Sequence, residues 1–111
     1  MQVQVNSDHH ISGSVELADD VRGIVEDGLG HLAERITRVE VHLTDENSSK
    51  HGANDKRCLM EARVKGHDPV AVTETADRLD LAIHGAVKKL HKSLSHLFDR
   101  LDNSRGGTEL P

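Results

Sequence analysis

From Thr75 to Asp102 apolar residues recur at Leu79, Ile83, Val87, Leu90, Leu94, Leu97 and Leu101. The steps of three and four hold all seven on one stripe of a single long helix. Such a stripe must be covered. Docking on a sheet covers most of it, with the turns from Leu94 onward expected to project beyond the sheet. A homodimer through this long C-terminal helix is the other way to fill the seam. Lys88, Lys89, His91, Lys92, His96 and Arg100 occupy the remaining circumference, and Asp99 is the only acid between Val87 and Leu101. A cationic helix face of this kind suits a polyanionic partner.

The rest of the chain supplies the elements that can receive the seam. Gln2 to Asn6 alternates Val3 and Val5 with amides and reads as a short strand. From about Val15 the period turns helical, with Leu17, Val21, Ile24, Val25, Leu29 and Leu32 on one side. Gly23, Gly28 and Gly30 each cost up to ~1 kcal/mol relative to Ala in a helix interior, so this helix depends on docking. Arg38 to Thr44 alternates Val39, Val41 and Leu43 with polar residues, a strand with one wet face. Asp45 to Asp55 reads as a polar loop, and Lys56 to Lys65 as a third strand with Cys58, Met60, Ala62 and Val64 inward. Gly66 to Pro69 is a turn signal before a fourth strand, Val70 to Glu74. The order β-α-β-β-β-α specifies an α+β two-layer sandwich, a four-stranded sheet with two helices on one face. The first two strands should pair in parallel through a crossover. Residues 1–102 form the expected single domain, with 103–111 a disordered tail.

Charge is distributed unevenly. Residues 1 to 35 hold seven acids and two bases, which carries the whole formal charge of −5, and the remaining twelve acids and twelve bases cancel. Phe98 is the only aromatic residue. Single-strand readers that stack bases on several aromatic rings are therefore excluded, and a nucleic-acid contact must be directed at phosphates and shape. No apolar run approaches the ~20 residues of a membrane span. The amino terminus lacks the basic and apolar regions of a signal peptide, so a cytoplasmic location is expected.

The element order, with RLDLAIHGAVKKLHKSLSHLFDRL as its last helix and ISGSVELADDVRGIVEDGLGHL as its first, resembles the bacterial ribosome hibernation-promoting factors. That family is also called ribosome-associated inhibitor A or sigma-54 modulation proteins. The resemblance covers roughly residues 2 to 101 and its short form. It implies a non-enzymatic protein, without cofactor, that binds the 30S subunit and its rRNA in the decoding channel. There it would sterically block mRNA and tRNA during stress. The family carries bases on the last helix where this chain has Lys89 and Lys92, with Lys88, His91, His96 and Arg100 extending the row. A base is also usual at Arg22. The family's first-helix lysines fall about where this chain has Gly28 and His31, beside Glu26 and Asp27. That departure motivates a second reading, a diverged homologue serving as a protein–protein interaction module.

Other chemistry finds little support in the pattern. Among nine histidines no HxxxH pair occurs. His84 and His91 lie ~10.5 Å apart along a helix axis, too far for one zinc with ligands at ~2.0 to 2.1 Å. His9 and His10 are adjacent and read as surface groups. Cys58 reads as a buried strand thiol, with His42 facing the other way. Asp19, Asp20, Glu26 and Asp27 read as the wet face of a helix rather than a catalytic pair.

Overall fold

The computed structural model describes residues 1–8, 11, 13–46 and 56–106. Four strands, β1 (Gln2–Ser7), β2 (Ile36–Asp45), β3 (Lys56–Val64) and β4 (Val70–Ala76), form one sheet in sequential order. β1 pairs with β2 in parallel, whereas β2–β3 and β3–β4 are antiparallel. Helix α1 (Val15–Leu29), a 3-10 helix η1 (Gly30–Arg35) and helix α2 (Leu79–Gly106) complete the order β-α-β-β-β-α. This is the α+β sandwich that the hydrophobic periods require. His9, His10, most of the expected loop at 45–55 and the end of the expected tail, 107–111, lie outside the described residues.

Strand parity builds the core. Val3 of β1, Val39, Val41 and Leu43 of β2, and Cys58, Met60, Ala62 and Val64 of β3 are all buried on the helix side of the sheet. Helix α1 adds Val21, Val25 and Leu29, and α2 adds Ala82, Ile83, Ala86, Val87, Leu90, Leu94, Leu97 and Phe98. Each large side chain contributes about 1.5–3 kcal/mol on burial, so the α2 seam is a main source of the fold's stability.

Several boundaries differ from the sequence reading for local reasons. Thr75 and Ala76 extend β4, where they pair with Arg57 and Lys56, so α2 begins at Leu79 and not Thr75. At its other end α2 continues through Gly106, so residues 103–106, expected as the start of a disordered tail, are helical. Helix α1 starts after Ser14, whose side chain accepts a hydrogen bond from the Leu17 amide at 3.0 Å, a helix cap. It ends at Leu29, short of the Leu32 that periodicity suggested. Gly30 adopts φ 55°, a left-handed conformation suited to glycine, and the chain tightens into η1.

The turn of α2 from Leu94 to Phe98 is not left bare, whereas Asp99, Arg100, Asp102 and Asn103 beyond it are exposed. Leu94, Leu97 and Phe98 are buried, and η1 lies alongside with its own Leu32 buried. Arg35 of η1 stacks 4.2 Å above the Phe98 ring and reaches both carboxylate oxygens of Asp102 at 3.2 Å. The 3-10 segment therefore covers the part of α2 that α1 is too short to reach. The seam is thereby filled within one chain.

Candidate nucleic-acid interface

Helix α2 presents its cations as a row with a spacing of four. Lys88, Lys92, His96 and Arg100 are all exposed. A helix turns 3.6 residues per cycle, so a four-residue step drifts only ~40° while advancing ~6 Å. The four side chains form a shallow-pitched ridge ~18 Å long. Among the described residues no carboxylate lies within ion-pair distance of Lys88, Lys92 or Arg100. Such a row can neutralise successive phosphates without first breaking an internal pair.

The other candidates sit differently. Lys89 flanks the ridge, but its ammonium is 2.7 Å from Glu74 Oε1 and donates to the Thr73 carbonyl at 2.8 Å. It fastens α2 to the edge strand β4. Gly85 permits this arrangement, because a Cβ there would come within 2.7 Å of Glu74 Cγ. His91 lies on the side nearer α1, with its Nδ1 3.5 Å from Ser95 Oγ. Arg22 is not brought to the ridge. Ile24 and Gly28 face α2, and Arg22 is turned ~160° from Ile24 around α1. Its guanidinium pairs with Asp19 at 2.8 Å.

Where α1 meets α2 the backbone approach is close. A Cβ on Gly28 would lie 2.2 Å from Val87 Cγ1. This contact floors a shallow groove with Ile24, Gly28 and Val87, walled by Asp27 on one side and His84 and Lys88 on the other. The first helix adds no free base here. The acids Glu16, Asp20, Glu26 and Asp27 are exposed along it.

The sequence reading left out a second set of cations. Strand parity places Arg38, Arg57 and Arg63 on the outer face of the sheet, with His42 and Glu40. Alternation alone could have found them. Their charges are already answered. Arg38 pairs with Glu40 at 2.7 Å and Arg57 with Glu46 at 3.0 Å, while Arg63 lies 4.0 Å from Glu40 and 3.9 Å from Glu61. Arg38 also donates to the Gln4 side chain.

Cys58 is buried, and burial pushes its thiol from the ordinary 9.0 up to about 12. A neutral, inaccessible thiol is a poor nucleophile. Among the described residues no three His, Cys, Asp or Glu side chains gather to hold a metal ion. Among the described residues no helix is long and apolar enough to cross a membrane.

The model of the family described as sigma 54 modulation protein / S30EA ribosomal protein matches residues 9–102. The chain belongs to that family. Among solved structures, a ribosomal subunit interface protein from Coxiella burnetii superposes with a TM-score of 0.72 at 12% identity. That match covers 89% of this chain and 99% of the other. The Protein Y N-terminal domain of Thermus thermophilus gives a TM-score of 0.62 at 21% identity, covering 87% and 99%. At these identities the superpositions speak for a common fold. No curated protein matches the chain. Membership in a family of ribosome-associated proteins supports a ribosome-associated role for this chain and gives catalysis no support.

Proposed function

We propose that this family member binds the 30S ribosomal subunit through phosphates of its rRNA and sterically blocks mRNA and tRNA in the decoding channel. The observation that carries this reading is the exposed row Lys88, Lys92, His96 and Arg100 on α2, whose lysines and arginine have no carboxylate partner among the described residues. Lys89 and His91 flank the row and contribute secondarily, whereas Arg22, turned away on α1 and paired with Asp19, stands outside this contact. The near absence of aromatic residues fits phosphate contact without base stacking. Inhibition requires only occupancy, so no cofactor enters. The protein acts in the cytoplasm as one domain, residues 1–102, with the tail outside the contact.

Cosedimentation with 30S and 70S particles on sucrose gradients tests this reading. Comigration that weakens between low and moderate salt is the expected result. Absence of comigration at low salt overturns it. A second reading rests on the exposed acids of α1, which repel phosphate and would suit a basic protein partner. It predicts association with a protein and a shallow salt dependence.

A further inference from the structure

The two edges of the sheet are finished differently. On β4 the Thr73 carbonyl is occupied by the Lys89 ammonium, and Glu74 beside it is paired with the same lysine. A charged side chain folded over an edge strand deters the addition of another strand. Among the described residues β1 has no such protection. Its six residues, Gln-Val-Gln-Val-Asn-Ser, include no charge, no proline and no bulge, and its free edge offers alternate amides and carbonyls to a partner.

We infer that β1 is a self-association edge, pairing antiparallel with β1 of a second copy about a two-fold axis at Gln4. The strand is palindromic in chemical type around that residue. Such a register sets Gln4 against Gln4, Val3 against Val5, and Gln2 against Asn6. Every apolar residue meets an apolar one on the helix side, and every amide meets an amide on the outer face. No like charges oppose each other across the strands. A second copy therefore fits this edge better than a charged or irregular segment does.

Beside the edge, a cleft of about 440 Å³ opens between Val5 and the start of α1, lined by Val15, Leu17 and Ala18. Val15 is 74% exposed, the largest exposure among the exposed large hydrophobic side chains. Strand addition would bring the partner's helix layer toward this cleft. One strand pair buries less than the ~800 Å² per partner of standard interfaces, so the dimer is a weak, concentration-dependent one. It leaves the α2 ridge free, because the ridge stands over the opposite half of the sheet.

Sedimentation velocity from 10 to 500 μM, with the intact chain, reads the association directly. A reversible dimer that persists at 0.5 M salt is expected, since uncharged groups form the contact. Gln4→Lys alters an exposed side chain, leaves the core intact, and should weaken the dimer at least tenfold. Under mild oxidation Gln4→Cys should form an intermolecular disulfide while buried Cys58 stays silent. A monomer at 500 μM overturns the inference. So does a dimer that ignores Gln4→Lys, or one that cross-links through Lys92→Cys on α2 and not through Gln4→Cys.

Discussion

The outer face of the sheet and the outward face of α2 both present cations, yet only one is available to an external anion. On the sheet, Arg38, Arg57 and Arg63 each stand beside Glu40, Glu46 or Glu61. On α2, Lys88, Lys92 and Arg100 have no such neighbour among the described residues. Counting bases does not distinguish the two faces. Pairing does, because a phosphate must displace a resident carboxylate on the sheet and meets only solvent on the helix.

That comparison can be broken by exchanging charges between the two faces. Lys88→Glu with Lys92→Glu should lower 30S affinity at least a hundredfold at moderate salt. Arg57→Glu with Arg63→Glu, the same formal change on the sheet, should lower it less than about fivefold. Equal losses would mean that net charge and not the ridge governs binding. A smaller effect sharpens the comparison. Glu74→Gln should release Lys89 to the ridge, raise affinity a few-fold and steepen the salt dependence by roughly 0.7 to 0.9 of a log–log unit. It should cost no more than about 1 kcal/mol in urea unfolding, because the pair is partly exposed.

The smallest expected effect concerns Cys58, whose thiol is raised by burial to about 12. In the unfolded chain the thiol loses its proton near 9.0, whereas in the fold it keeps it. Its contribution to stability is complete below pH 9 and declines as pH rises from 9 towards 12. Comparing wild type with Cys58→Ala in unfolding experiments between pH 8 and 10.5 should show the difference shrinking as pH rises. A constant difference would place the thiol in contact with water.

Most of the architecture was legible because two periods suffice to specify it. Alternation gave Val39, Val41 and Leu43 as the inner face of β2, and the three-and-four spacing gave the α2 seam; the core contains all of these but Leu79 and Leu101, which pack half-buried against it. The cover over the end of α2 was not legible, because it comes from η1. That segment has no helical period of its own, and its Arg35–Phe98 stacking is a contact between residues far apart in sequence. Gly28 looked like a cost in a helix interior. In the fold it is a clearance for Val87, as Gly85 is for Glu74.

The cationic row on α2 was equally readable, but its internal differences were not. Lys88 and Lys89 are neighbours in sequence and alike in chemistry. Only the position of β4 beside the helix reveals that Lys89 is engaged by Glu74 and Lys88 is not. Arg22 shows the same limit. A base on the first helix suggests a joint surface, whereas the rotation of α1 that buries Val21 and Val25 turns Arg22 away from α2.

The central claim is that phosphates meet the α2 ridge. The most direct test is the slope of log affinity for 30S subunits against log salt concentration, compared between wild type and Lys88→Ala/Lys92→Ala/Arg100→Ala. Three lost phosphate contacts predict a slope shallower by about 2 to 3. An unchanged slope would place the ribosome contact elsewhere on the molecule and contradict the account.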